Sequence, residues 1–195
     1  MDDNANQVPT ASQTVGPFFS IGLCPENPNN LVPTRRRTGA EIVKLRGRVL
    51  DGDGQGVPDA ILEIWRANEN GLYPNAKADC GYDDRGVPGG FARIPTNDQG
   101  AFEFQTIKPG TVKGVNGDVQ APHLVVLIFM RGLLRHLMTR IYFPQEAANE
   151  TDQVLAAVPA ERRSTLIAEC SGRSSSEFEW YVCLQGNAET VFFEA

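Results

Sequence analysis

Residues 99–143 read QGAFEFQTIKPGTVKGVNGDVQAPHLVVLIFMRGLLRHLMTRIYF and contain two strand patterns of different kinds. Ala101 to Thr106 alternates between apolar and polar positions, which predicts a strand with one buried face. Leu124 to Met130 is continuously apolar, which predicts a strand buried on both faces. Arg131 ends this run abruptly, so its charge is expected either at the surface or facing a cleft.

Residues upstream of this region add two further strand patterns around a turn. Apolar residues alternate with charged ones over 43–49, Asp and Gly dominate 51–56, and an apolar pattern returns at 61–65. Asp and Gly tolerate the backbone angles of tight turns, so a hairpin or a Greek-key arm is expected. Residues 67–98 are rich in Gly, Asn and Asp and are expected to form a long, packed loop.

The whole chain is expected to be all-β, an antiparallel β-sandwich with long loops at its ends and one or two short helices. The helices fall within 145–163, where Ala, Glu and Gln replace the strand pattern, and the apolar segment 190–193 is expected to dock as a strand or arm. The length of 195 residues fits a single domain, 1–195, with an N-terminal arm over about 1–22.

Charge and composition narrow the function classes. The net charge is −6 and the only basic cluster is Arg35–Arg37, so neither nucleic acid nor a membrane is expected as a partner. No apolar run approaches the roughly 20 residues of a membrane helix, and the N-terminus has no secretory pattern. The four cysteines are scattered without a CxxC pair, which indicates free thiols in the cytoplasm.

The residue pattern alone indicates little catalytic chemistry. His123 and His136 are the two histidines of the chain and form neither an HxH nor an HxxxH pair. A GxSxG elbow and a phosphate-binding loop are also absent from the sequence. Arg131 is the best isolated candidate for an anion contact, and the rigid Gly16-Pro17 step is typical of a docked arm.

Five segments spread along the chain resemble the intradiol ring-cleaving dioxygenases. They are TASQTVGPFFSIGL (10–23), RGRVLDGDGQGVPDAILEIWRANENGLY (46–73), GFARIPTNDQGAFEFQTIKPG (90–110), APHLVVLIFMRGLLRHLMTRIYF (121–143) and GNAETVFF (186–193). The resemblance implies a non-haem ferric ion held by two Tyr and two His. It also implies cleavage of a catechol between its hydroxyl-bearing carbons, with both atoms of O2 inserted.

The resemblance covers only half of this ligand set. Tyr73 and His123 match one Tyr and one His, whereas Phe102 and Val125 stand at the other two positions. Phe and Val offer no donor atom, so this chain is expected to bind no metal and to contain no catalytic residue alone. Tyr73 is then expected to anchor its loop, and His123 to be a buried, hydrogen-bonded histidine.

The resemblance further implies a partner, an iron-bearing β chain that holds the Fe(III), within a higher-order αβ oligomer. The expected substrate is protocatechuate (3,4-dihydroxybenzoate), converted with O2 to 3-carboxy-cis,cis-muconate in aromatic catabolism. Thr14, Gly16, Pro17 and Arg131 match the positions that line the shared substrate site. Gly allows the backbone to approach a flat ring, and Arg supplies fixed donors for a carboxylate.

Two alternatives stay open at this point. The chain could be a non-catalytic β-sandwich binding or structural module, or a homomeric catechol-type intradiol dioxygenase with an unusual ligand set. The roles of Tyr82 and His136 are also open, and a packed loop residue and a solvated or interface histidine are the simpler interpretations.

Overall fold

The computed structural model describes residues 10–24, 40–73, 90–114, 117–171 and 174–194. Arg35–Arg37 and Tyr82 lie outside these residues. The strands are β1 (Ile42–Leu50), β2 (Ile61–Arg66), β3 (Phe91–Pro95), β4 (Ala101–Ile107), β5 (Val112–Lys113), β6 (Val119–Gln120), β7 (His123–Phe129), β8 (Leu137–Tyr142), β9 (Glu169–Cys170) and β10 (Glu177–Cys183). The helices are α1 (Phe19–Leu23) and α2 (Gln153–Ala157), with 3₁₀ segments at Ala147–Glu150 and Ala160–Leu166.

Two four-stranded sheets form the sandwich. The first sheet has the order β4-β1-β10-β9, the second has the order β3-β2-β7-β8, and β5 and β6 form a small separate pair. One buried apolar cluster takes residues from both sheets, including Leu45 and Phe104 from the first and Leu124 and Ile128 from the second. The all-β sandwich is therefore confirmed, with one parallel pairing, β1 with β10, among the antiparallel ones.

Strand β7 is buried on one face only. Leu124, Val126 and Ile128 point into the core and are fully buried, whereas on the other face Val125, Leu127 and Phe129 are half-buried and only His123, at the start of the strand, is buried. The expectation of burial on both faces is therefore wrong. These alternate residues lie on the outer face of the second sheet, the face that points away from the first sheet. A continuous apolar run does not by itself reveal whether a second layer covers that face.

The Asp-Gly-rich turn carries the chain from one sheet to the other. The Asp51 carboxylate accepts the backbone N–H groups of Asp53 at 3.0 Å and Gln55 at 2.8 Å, which fixes the turn. Strand β1 pairs with β4 and β10, and β2 pairs with β3 and β7. Because both edges of β1 are already occupied, β1 and β2 do not pair, and the hairpin alternative is wrong.

Three further elements bear on the expectations. Strand β3 lies inside the segment 67–98 that was expected to be a loop, and it pairs with β2. The short helices expected within 145–163 are present, and Asp152 caps α2 by accepting the N–H of Leu155 at 2.9 Å. The C-terminal segment docks on β8, where the N–H of Phe193 donates to the carbonyl of Met138 at 2.8 Å.

Among the described residues, no helix has the length and apolar character required to cross a bilayer.

Gly47 is expected to be the most sensitive glycine of the core. A Cβ added at Gly47 would lie 1.7 Å from the backbone oxygen of Trp180 and 2.8 Å from the ring of Phe102. Overpacking of this kind is destabilising, so Gly47→Ala should lower the free energy of unfolding by about 3 kcal/mol in urea titrations. Gly22→Ala is the control, because nothing lies within 4 Å of its added Cβ. Equal unfolding midpoints for the two variants would contradict this account of Gly47.

Candidate functional site

Tyr73 and His123 form a hydrogen-bonded pair at the start of β7. The Tyr73 Oη lies 3.1 Å from Nε2 of His123, and Nδ1 of the same ring lies 2.7 Å from the carbonyl oxygen of Ala121. Because a carbonyl only accepts, Nδ1 carries the proton, and Nε2 accepts from the Tyr73 hydroxyl. Tyr73 and His123, which were expected to be structural, are thus hydrogen-bonded to each other, and the Nε2 lone pair accepts the Tyr73 hydroxyl.

Both members of this pair are held in their neutral forms. Burial lowers the pKa of His123 to about 4, and the nearby Arg140 guanidinium acts in the same direction. Burial also raises the pKa of Tyr73, an effect that Arg140 partly opposes. At neutral pH the pair is therefore an uncharged imidazole bonded to an uncharged phenol.

A buried carboxylate connects this pair to the rest of the site. Asp152 is fully buried and accepts the N–H of Ala121 at 2.8 Å and the hydroxyl of Tyr142 at 3.3 Å. Arg140 Nη1 donates to the Tyr142 hydroxyl at 3.2 Å and to Gln120 Oε1 at 2.9 Å. Burial raises the pKa of Tyr142 to about 12, so its hydroxyl keeps its proton. The connected residues are called the polar cluster below: Tyr73, Gln120, Ala121, His123, Arg140, Tyr142 and Asp152.

The structure brings Val125 to the polar cluster and leaves Phe102 away from it. Val125 lies on the same face of β7 as His123 and is paired with Arg140 of β8. Phe102 lies in the core between the sheets, with its ring centroid 6.4 Å from those of Phe104 and Trp180. The expected four positions therefore do not converge on one site.

Sequence reasoning singled out two of the seven cluster members and missed five, among them Arg140, Tyr142 and Asp152. A usable signal was present in TRIYF, where an Arg and a Tyr two residues apart must share one face of a strand. The position of Asp152 had no comparable signal, because its contact with Ala121 depends on how a distant helix packs.

The donor set present does not fit a ferric ion. The donors that remain of the expected ligand set, on Tyr73 and His123, bond to each other, and Val125 provides none. The oxygens of Tyr142 and Asp152 are engaged in other hydrogen bonds, and Arg140 already supplies a positive charge. No group of three or more His, Cys, Asp or Glu residues arranged for a metal occurs in the part of the chain that the structure describes. A non-haem iron site needs more donors than this cluster offers.

A second group of expected residues meets at the opposite end of β7. The Thr14 hydroxyl accepts the N–H of Gly132 at 2.8 Å, which ties the N-terminal arm to the turn after β7 across 118 residues of sequence. Gly16 and Pro17 follow on the same arm and are exposed. Thr14 is thus adjacent to the turn that contains Arg131.

Arg131 itself lies at the surface with a weak partner. Its Nη2 lies 3.2 Å from Oδ2 of Asp59, and the two side chains are 54% and 48% exposed. An ion pair this exposed contributes little to stability. The guanidinium is therefore free to exchange Asp59 for another carboxylate at small cost.

The arm also covers a groove and presents apolar groups outward. A cavity of about 710 Å³ is lined by residues of the arm, the second sheet and the C-terminal segment, among them Val15, Phe129, Met138 and Phe192, with His136 and Arg135. The His136 ring lies 5.5 Å from that of Phe129.

The arm also exposes two large apolar side chains, since Phe18 and Ile21 are 74% and 76% exposed. Exposed apolar side chains close together are typical of a surface that a partner covers.

Comparisons with known proteins show the family to which the chain belongs. Residues 15–186 match a family model described as Dioxygenase. The chain is 41% identical to the protocatechuate 3,4-dioxygenase alpha chain of Burkholderia cepacia over 95% of this chain and 96% of that protein. It is 29% identical to the beta chain from the same organism, over 83% of this chain and 71% of that one. A solved 3-chlorocatechol 1,2-dioxygenase from Rhodococcus opacus 1CP has the same fold, with a TM-score of 0.66. The two sequences are 21% identical, and the match covers 92% of this chain and 73% of that one.

The buried, neutral His123 should make the fold sensitive to acid. Its pKa in the folded chain, about 4, lies below the ordinary value of 6.5, so the unfolded chain takes up the proton first. Stability attributable to His123 is therefore complete above pH 6.5 and is lost as the pH falls towards 4, by about 3 kcal/mol.

Urea titrations across this pH range measure the loss, with His123→Gln as the control. The variant lacks the titrating ring, so its stability should fall less steeply with pH than that of the wild type. Parallel pH profiles for the two proteins would contradict the assignment.

Proposed function

Because the chain belongs to the intradiol ring-cleaving dioxygenases, we propose that it is the iron-free α subunit of a protocatechuate 3,4-dioxygenase. It acts with a β chain that binds the ferric ion, and together they convert protocatechuate and O2 to 3-carboxy-cis,cis-muconate. The observation that carries this proposal is the contact of Thr14 with Gly132, beside the exposed guanidinium of Arg131.

The proposed roles of the two chains follow from the metal-donor atoms that this chain offers. The iron supplies the ring-cleavage chemistry, and the polar cluster of this chain does not offer a site for it. The contribution of this chain is then to bind and orient the substrate. A homomeric enzyme would need a complete ligand set in every chain, and Tyr73 and His123 alone do not make one.

Arg131 is proposed to orient the substrate carboxylate. The two ring hydroxyls of a catechol face the metal, so the carboxylate end needs a separate contact. A charge-assisted hydrogen bond is worth roughly 1.5–3 kcal/mol, which corresponds to about 10- to 150-fold in affinity. Arg131 is available for this role because its pairing with Asp59 is exposed and weak.

The arm is proposed to supply both a wall of the substrate site and part of the subunit interface. The backbone at Gly16 and Pro17 is exposed and rigid, so it can lie against a flat aromatic ring. Phe18 and Ile21 would be covered by the β chain. The 29% identity to a beta chain supports a partner of the same fold, and assemblies of αβ units are usually symmetric. The cytoplasm remains the proposed location.

Co-expression with a β-type chain tests the proposal as a whole. Copurification, iron content and protocatechuate-dependent O2 uptake are measured for the pair and for each chain alone. We expect an active, iron-containing pair and an inactive, iron-free α chain. A β chain equally active without this partner would contradict the shared site and favour the non-catalytic module.

Arg131→Ala should weaken substrate binding by 10- to 150-fold in KM while leaving the iron content of the pair unchanged. Asp59→Asn is the matched control, since it removes the ion pair of Arg131 but keeps the guanidinium. If Arg131 contacts the substrate, Asp59→Asn leaves KM unchanged or lower. If the two variants raise KM equally, Arg131 serves only to hold the turn.

Thr14→Val should loosen the arm, because the variant keeps the shape of Thr but cannot accept the N–H of Gly132. The loss of one hydrogen bond is worth about 1 kcal/mol, so KM should rise about fivefold in the αβ pair. Thr14→Ser retains the hydroxyl and should behave as the wild type. A Thr14→Val enzyme with wild-type KM and an equally protected arm in limited proteolysis would show that this contact is dispensable.

A further inference from the structure

The polar cluster contains a cation of its own at the position where a metal would be expected. His123 and Val125 are alternate residues of β7, and Tyr142 and Arg140 stand directly opposite them on β8. Residues paired in this way share one face of the sheet, with Cβ atoms roughly 4.5–5.5 Å apart. The Arg140 side chain thus begins beside Val125, and its guanidinium, bonded to Tyr142 and Gln120, is near enough to His123 to lower the pKa of that ring.

The charge of Arg140 is balanced inside the cluster. Its Nη1 donates to the Tyr142 hydroxyl at 3.2 Å, and that hydroxyl donates to the buried carboxylate of Asp152 at 3.3 Å. The Tyr142 hydroxyl therefore links a positive and a negative group without direct contact between them. With Tyr73 and His123 neutral, the cluster needs no further positive charge.

A metal ion at Tyr73 and His123 would face two obstacles besides the missing donors. It would have to break the hydrogen bond between Tyr73 Oη and His123 Nε2. It would also bring a second cation to the buried ring whose charged form the Arg140 guanidinium already disfavours, where water screens their repulsion poorly.

We propose that Arg140 is the resident cation of this site and excludes metal ions from it, even when the donor missing at Val125 is restored. The loss of ligands and the presence of Arg140 are then two independent reasons why this chain holds no iron. This inference concerns the chain alone and uses no property of a β partner, so its failure would leave the proposed shared substrate site intact.

Cobalt binding to the full-length chain tests the proposal. Val125→His supplies a third donor beside Tyr73 and His123, and Arg140→Gln removes the charge while keeping a side chain that can bond to Tyr142. We expect Val125→His alone to bind Co²⁺ no better than the wild type in equilibrium dialysis. The double variant Val125→His/Arg140→Gln should bind at least tenfold more tightly and give the visible absorption of histidine-bound cobalt.

Three controls separate charge from other effects. Val125→His/Arg48→Gln removes the same charge from the exposed face of the first sheet and should not gain Co²⁺ binding. Val125→His/Arg140→Lys keeps the charge in place and should stay metal-free. Adding His123→Ala to the double variant should abolish the cobalt spectrum, which shows that binding occurs at this site.

Two results would overturn the proposal. One is tight Co²⁺ binding by Val125→His alone or by the Arg140→Lys form, since Arg140 or its charge would then be no obstacle. The other is a folded double variant that still binds no cobalt. Thermal unfolding identifies variants that do not fold, and Arg140→Met, of similar length and without charge, replaces Arg140→Gln if that form is unstable.

Discussion

The buried carboxylate of Asp152 is the constraint on which the polar side of this sandwich depends. A charge removed from water must be met by donors, and Asp152 receives three: the N–H groups of Ala121 and Leu155 and the hydroxyl of Tyr142. These donors belong to the segment between β6 and β7, the end of β8 and the first turn of α2. One carboxylate therefore fixes the helical segment against the second sheet, and the carbonyl of Ala121 in turn fixes the ring of His123.

In this arrangement two ligand-like residues are hydrogen-bonded by protein groups alone. In a metal centre, one ring nitrogen of a histidine ligand normally binds the metal, and the other donates its N–H to a carbonyl or carboxylate. In this chain the carbonyl contact of His123 is retained, and the Tyr73 hydroxyl satisfies the other nitrogen. The polar atoms of Tyr73 and His123 are thus paired by protein atoms, so packing and hydrogen bonding account for these two side chains.

The sequence predicted the sandwich because alternation in β4 and the apolar run in β7 are strong local patterns. It did not predict β3, since Phe91–Pro95 lies among Gly, Asn and Asp residues that favour loops. The family resemblance grouped Phe102 with Tyr73 and His123, although the alternation in β4 turns that side chain into the core. Local patterns do not encode how distant segments pack. The contact of Asp152 with Ala121 and the exposure of Arg131 both depend on that packing.

The two groups of residues singled out from the sequence occupy opposite ends of one strand. His123 begins β7 and Arg131 lies just beyond its end, so at about 3.4 Å per residue the two are separated by roughly 25 Å. The His123 end is buried and closed by internal hydrogen bonds, whereas the Arg131 end is exposed and joined to the arm by Thr14. Because substitutions this far apart with no shared partners act independently, donor atoms could be lost at one end while the surface at the other stayed intact. This separation is compatible with the proposed function, in which the Arg131 end completes the site of a related chain while the His123 end holds no metal.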